Sequence, residues 1–485
     1  MQYVDILTDI KLIWPELCIA LSAMSLLMIG AFKGDNSTKT ITWMSICVMG
    51  IACLLVILGP ETPSLAFNNL FVVDQFSNYS KVLILIGATL TLIFALPFNL
   101  REGIPQFEFP ILLLFAVLGM MMMVSANDLI ALYLGIELQS LSLYVLAAIR
   151  RDSIKSAEAG LKYFVLGALS SGILLYGMTM VYGFSGATGF NELELAFSDG
   201  VANNQLIGVT VGVIFILCAL AFKVSAVPFH MWTPDGYEGA PPPITAFFSI
   251  APKIAAMLLL ARVLLEPFGG LFVQWQQVIC FIAIASMTFG AFAAINQTNI
   301  KRLMAYSSIG HMGFVLVGLA AGTLAGLQAV LLYLTVYLFM NVGTFACILA
   351  MKRDDRMVEE INQLAGYSRT NPRMTIALTI FMFSMAGIPP LAGFFGKYFV
   401  FKAAIDAELY TLTVIGLLAS VVSAFYYLRI VKLMYFDEAM DEFDKSIGKE
   451  ISLITVGMSI VTAFFIIILW PVLDNAAIAA SSIFL

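Results

Sequence analysis

Five ionisable side chains stand in stretches that are otherwise apolar. They are Glu137 in DLIALYLGIELQSLSLYVL, Lys223 in ALAFKVSAVPFHMWTPD, Lys253 in SIAPKIAAMLLL, His311 in KRLMAYSSIGHMGFVLV and Lys397 in GIPPLAGFFGKYF. Carboxylate, amine and imidazole in such places share one reaction, the reversible gain and loss of a proton. An amine holds its proton less tightly when desolvated and more tightly beside a carboxylate, so moving an acid toward or away from it drives uptake and release. Glu137 lies nine residues past Asp128, roughly 14 Å along a helix, and is the one acid expected deep in an apolar run. Lys223, preceded by more than a turn and a half of apolar helix, is its natural partner. The residues alone leave a second role open for that pair, locking two helices together.

Proline accompanies each lysine. Pro228 follows Lys223 by five residues, Pro252 precedes Lys253 directly, and Pro389 and Pro390 stand seven or eight residues before Lys397. A proline frees a backbone carbonyl, which at membrane depth is tolerated only inside protein or beside water. Broken helices in which polar backbone and side chain share a hydrated pocket are therefore expected, with Pro389 and Pro390 in the first turn of a restarting helix. For Lys253 an ordinary kink with a snorkelling side chain remains the alternative. Lys162, four residues after Glu158, reads as a boundary ion pair. His230 and His311 are the only histidines; with no carboxylate or cysteine nearby they form no credible metal site. His311 could pass a proton near physiological pH or be a satisfied core histidine.

The elements that must hold these groups are membrane helices. The chain is 61% hydrophobic and 12% charged over 485 residues, against about 25% charged in soluble domains. Apolar runs of about 20 residues, long enough to cross a bilayer, fall near 12–32, 41–60, 76–97, 109–126, 128–149, 158–184, 206–229, 240–265, 273–295, 300–320, 324–350, 375–403, 410–433 and 451–473. Their continuity excludes a transmembrane β-barrel. The fold expected is all-α and polytopic, with about fourteen spans. Loops on alternate sides then receive seventeen basic residues, among them Arg150, Arg151, Lys301, Arg302 and Lys445, against four, Lys11, Lys81, Arg262 and Lys402. By the positive-inside rule the rich side is cytoplasmic and both termini are periplasmic. All six cysteines lie in apolar segments without C-x-x-C pairing, reading as buried hydrophobes. No cleaved signal peptide is read at the N-terminus, and GATGF lacks the context of a nucleotide loop. With no visible apparatus for electrons or ATP, an ion gradient or a partner subunit must drive the protons.

GIELQSLSLYVL, SAEAGLKYFVLGA, AFKVSAVPFHMWTPDGYEGAPPPITAFFS, INQTNIKRLMAYSSIGHMGF and FSMAGIPPLAGFFGKYF together resemble the antiporter-like membrane subunits of respiratory complex I and of the multisubunit cation/proton antiporters. The resemblance covers about residues 108–433. It implies two inverted five-helix repeats, helices 4–8 (108–265) and 9–13 (266–433), between an N-terminal three-helix segment (1–107) and a C-terminal loop and helix (434–485). Helices 7 and 12 would be discontinuous. Glu137 would be the fifth-helix glutamate, and Lys223, Lys253 and Lys397 the lysines of helices 7, 8 and 12. Adjacent antiporter-like subunits would be its partners in a bacterial inner membrane, with no nucleic acid involved. NADH, FMN, iron–sulfur clusters and quinone would lie in a peripheral arm and other partner subunits, with no cofactor bound by this chain. The alternative is a cation/proton antiporter subunit. Some members carry glutamate at the terminal position, where this chain has Lys397, or a long C-terminal extension, which is not expected here. The eleventh-span histidine of other members is replaced by Tyr333 and Tyr337, leaving Lys253 to Lys397 the least secured stretch of the path. Lys397 is expected to be the last lysine before release to the periplasm.

Overall fold

A computed structural model describes residues 6–60, 62–104, 106–198, 203–353, 356–438, 443–444 and 448–484. Lys445 lies outside the described residues. In chain order the helices are α1 (Ile6–Leu12), α2 (Trp14–Lys33), α3 (Thr38–Ile57), α4 (Gln75–Arg101), α5 (Glu108–Val124), α6 (Leu129–Ala147), α7 (Ile154–Ser185) and α8 (Phe190–Ser198). They continue as α9 (Asn203–Lys223), α10 (Trp232–Gly239), α11 (Pro242–Ser249), α12 (Ala251–Leu265), α13 (Phe272–Ile295), α14 (Ile300–Ala320) and α15 (Leu324–Ala350). The last are α16 (Tyr367–Thr370), α17 (Pro372–Ala386), α18 (Ala392–Asp406), α19 (Tyr410–Phe436), α20 (Lys449–Ala463) and α21 (Phe465–Ser481). Two small antiparallel hairpins, Ser64–Ala66 with Phe71–Val73 and Lys352–Arg353 with Arg356–Met357, sit between helices.

Short polar side chains set where helices begin, by accepting the amides a first turn leaves free. Asp128 accepts from the amides of Ile130 and Ala131, so the two residues separating the fourth and fifth apolar runs are a real boundary. Asp74 and Ser77 form a capping box on α4, and Asn299 caps α14. Ten described helical stretches, with Trp14–Ile57 taken as one, are long and apolar enough to cross a membrane. The innermost are Pro242–Leu265, wholly buried, and α14 and α15, nearly so; Leu134, Leu169, Phe292 and Val421 cover the outside.

Several expectations need correction. The last run, 451–473, is not one straight span: α20 and α21 meet at an 80° bend. Pro389 and Pro390 precede the restart of α18 at Ala392 rather than lying in its first turn, whereas Pro242 and Pro243 do open α11. Lys81 and Arg262 are not loop charges. Lys81 pairs with Glu16, in the first turn of α2, at 2.8 Å, and Arg262 pairs with Asp74 at 2.7 Å. Both pairs are almost wholly excluded from solvent. Ion pairing hides them from a hydropathy count, because a paired charge can be buried where a lone one cannot.

Arg262 holds the end of α12 to the start of α4. Its Nη2 donates to both Asp74 oxygens and its Nη1 to Glu266 at 2.9 Å. Burial pushes the Asp74 carboxyl up, but the Arg262 charge and the Ser77 amide outweigh it and hold the group below its ordinary value. For Glu266 burial wins over the same guanidinium and pushes it up to about 7.

Candidate functional site

The first cluster spans α6, α7 and α9. Ser171 of α7 donates to the Glu137 carboxylate. One turn along α6 from Glu137, Ser140 accepts from Lys223 Nζ at 2.7 Å. Glu137 and Lys223 are thus each held by a serine, Ser171 reaching the first and Ser140 the second, without an ion pair within 4 Å between them. Glu137 is partly exposed and Lys223 is buried.

Lys223 is the last residue of α9. The chain breaks where Ser225 turns into the left-handed region, at φ 62°. The exposed backbone finds partners: Trp232 Nε1 donates to the Phe222 carbonyl at 3.1 Å, and the Val227 amide donates to Ser286 Oγ at 2.9 Å. This is how an interrupted helix survives inside a bundle, by satisfying each freed group within protein.

The second cluster is centred on α14. Lys253, third residue of α12 just beyond a break at Ile250, donates to Ser308 Oγ at 2.6 Å, and its ammonium lies 5.2 Å from the Tyr237 ring centre. Ser308 also bonds Tyr337 OH at 2.6 Å. One turn along α14, His311 Nδ1 meets Tyr333 OH at 2.8 Å and Nε2 meets Tyr427 OH at 3.0 Å. Tyr427 in turn bonds Ser307 at 2.5 Å. The Tyr337 ring centre lies 5.5 Å from that of His311.

Lys397 sits in the second half of a broken helix. Gly387, at φ 90°, ends α17, a conformation that disfavours any side chain. Lys397 Nζ donates to the Ala386 carbonyl freed there at 3.0 Å and to Ser420 Oγ at 2.8 Å, and lies 4.8 Å from the Phe314 ring centre. Among the described residues it makes no ion pair. It lines a cavity of about 440 Å³ that continues along α18 past Phe401 and Lys402 to Ile405.

The five expected residues thus form two neighbourhoods. In the stretch expected to be least secured, Lys253 to Lys397, Ser308 and Tyr337 stand by Lys253 and Tyr333 and Tyr427 by His311, and among the described residues no hydrogen bond joins these two sets or links either to Lys397. Between Lys223 and Lys253 no hydrogen-bonded chain runs among the described residues. The aromatic cluster of Tyr163, Phe222, Trp232 and Phe248 packs there, with Tyr163 stacked on Trp232 at 4.1 Å. Ser308 and Tyr427 escaped sequence reading, because a hydroxyl in an apolar run carries no charge to mark it. Lys162 pairs with Glu158 as expected and also with Asp235, both at 2.7 Å, in a network that includes Arg302 and Glu238. His230 packs on Phe289 and joins neither cluster.

A membrane bundle with interrupted helices and lysines at the interruptions is the architecture of the antiporter-like subunits. Residues 126–423 match the family described as NADH:quinone oxidoreductase/Mrp antiporter, transmembrane. NADH-quinone oxidoreductase subunit N of Rhodospirillum rubrum is 57% identical over 97% of this chain and 96% of its own length. Its counterpart in Paramagnetospirillum magneticum is 54% identical over 98% of each chain. A chain of respiratory complex I from Thermus thermophilus superposes with a TM-score of 0.81 at 29% identity, covering 96% of this chain and 99% of that one. A chain of the Mrp complex from a Dietzia species gives 0.85 at 22% identity, covering 98% of each, which shows a shared fold. The chain belongs to the subunit N family of NADH-quinone oxidoreductase.

Proposed function

We infer that this chain is a proton-translocating membrane subunit of NADH-quinone oxidoreductase. The observation that carries the reading is the set of buried lysines at helix interruptions, two of them approached by a series of hydroxyls around His311. An amine buried without a permanent counter-charge can exist as ammonium or as neutral amine at modest cost, so each lysine can hold a proton in one state and pass it in another. Hydroxyls and imidazole, being both donors and acceptors, carry it between them. Glu137 sets the first step: bringing it closer to Lys223 favours the ammonium, and withdrawing it releases the proton toward α14.

The drive comes from partner subunits, whose peripheral arm oxidises NADH and whose FMN, iron–sulfur clusters and quinone carry the electrons. The site residues proposed are Glu137, Lys223, Lys253, His311 and Lys397, in that order, within halves 108–265 and 266–433. The chain lies in the bacterial inner membrane with both termini periplasmic, protons entering on the side of Arg150 and Arg151 and leaving through the cavity beside Lys397.

Lys223→Ala and Glu137→Ala, each in the assembled complex, are expected to lower NADH-driven proton translocation more than tenfold and several-fold, respectively, read by dye quenching in inverted vesicles. Unaltered pumping in both variants sinks the reading. The fold shared with the Mrp chain keeps a cation/proton antiporter subunit as the second reading, which requires sodium movement in the absence of NADH.

A further inference from the structure

The second half of the first interrupted helix, α10, is eight residues long and continues into neither neighbour: residues 224–231 separate it from α9, and Ala240 and Pro241 from α11. A helix so short does not hold itself in place, so contacts at its two ends must. At its beginning Trp232 Nε1 donates to the Phe222 carbonyl. At its other end the last carbonyls lack partners within the helix, and Lys301, from the first turn of α14, reaches them. Its Nζ donates to the Glu238 carbonyl at 2.6 Å and to the Ala240 carbonyl at 3.2 Å. The third contact of the ammonium is the Glu359 carboxylate at 2.8 Å. Three donors thus meet three acceptors, and Lys301 is only 3% exposed.

Glu359 is itself tied to the start of α14. Its Oε2 accepts from Asn299 Nδ2 at 3.0 Å and its carbonyl from the Ile300 amide at 2.8 Å, so the segment after the second hairpin is pinned to the same turn as Lys301. Arg302, the next residue, also bonds α10, at Asp235 and Glu238, but its side chain is about a third exposed and such pairs hold weakly. On the inner side of α10, the fully buried Tyr237 places its ring centre 5.2 Å from the Lys253 ammonium, a distance at which an aromatic face attracts a cation. The groups facing Lys253 are Tyr237 from α10, Ser308 and His311 from α14 and, behind Ser308, Tyr337 from α15. None of these carries a negative charge.

We propose that Lys301 is a positioning residue of the proton path: by closing the carbonyl end of α10 it keeps the Tyr237 ring against Lys253, and so sets how firmly that amine keeps its proton. The proposal rests on the proton-translocating reading above. Lys301 moves no proton itself and acts only through α10. Without it the short helix is held on its buried side at the Trp232 end alone, and the ring is free to leave the amine. The direction follows from the attraction lost: with the ring away the ammonium is held less firmly, and the neutral amine forms at lower pH.

The test uses the assembled complex in inverted vesicles, with the rate of NADH-driven proton translocation followed against pH. Lys301→Met keeps the length of the side chain and loses all three contacts. It is expected to slow translocation about threefold and to move the alkaline limb of the profile to lower pH by about half a unit. Tyr237→Leu removes the ring with Lys301 in place; it is expected to move the limb equally, and the double variant no further than either alone. A packing role would lower the amount of assembled complex and leave the profile where it was, so a wild-type profile in Lys301→Met overturns the proposal. Shifts that add in the double variant also overturn it, since the two residues then act apart. Should Lys301→Met fail to assemble, Tyr237→Leu decides, and an unmoved limb there is fatal. Lys253→Ala run alongside separates the two ideas: loss of pumping there with unmoved limbs in the other variants rejects the positioning role and leaves the function standing.

Discussion

Lys223 and Lys397 occupy comparable breaks in two helices, yet their surroundings differ. Lys223 ends the first half of its helix and has an acid close by, Glu137, held by Ser171 on the partly exposed side of α6. Lys397 stands in the second half of its helix and is held by a carbonyl and a serine, beside an open cavity with no acid on its lining among the described residues. On the proposed function the difference teaches that two levers would work on the same chemistry. At Lys223 the lever on that reading is the neighbouring Glu137, on the partly exposed face of α6. At Lys397 it is hydration, since water in the cavity it lines would favour the ammonium.

The largest expected effect comes from arginine at each position, since a guanidinium does not deprotonate in proteins. Lys223→Arg and Lys397→Arg should each reduce NADH-driven proton translocation more than tenfold, measured in vesicles; residual pumping in Lys397→Arg would mean that this amine never gives up its proton. Glu137→Gln sharpens the contrast. It should slow translocation several-fold, whereas Glu408→Gln, in the turn after α18, should stay within twofold; equal losses would erase the distinction between a charge-set and a solvation-set lysine. The smallest effect concerns the serines. A net hydrogen bond is worth about 1 kcal/mol, or roughly fivefold, so Ser420→Ala should cost at most about fivefold in rate and Ser140→Ala somewhat more, as read by initial proton uptake.

Charge made much of this site legible. Glu137, Lys223, Lys253 and Lys397 declared themselves because a titratable group in an apolar run needs a reason, and the prolines beside them announced the breaks. What charge does not mark stayed hidden: Tyr427 and Ser308 read as ordinary helix residues, and the aromatic packing between Lys223 and Lys253 depends on four residues from distant positions. Lys81 and Arg262 misled for the opposite reason, since their partners Glu16 and Asp74 are remote in sequence and a count of loop charges has no means of pairing them. The bend at Phe464 was equally silent, as apolar residues continue through it.

The Arg262 fork has a mechanical consequence. Lys253 and Arg262 ride on the same helix, nine residues or roughly 13.5 Å apart. The far end is clasped by Asp74 at the start of α4, while the near end begins at the Ile250 break. A rod pinned at one end and hinged at the other swings and does not slide. Any rearrangement at the break therefore carries the amine along a short arc about a fixed fulcrum, toward or away from Ser308, with its height in the bilayer nearly constant.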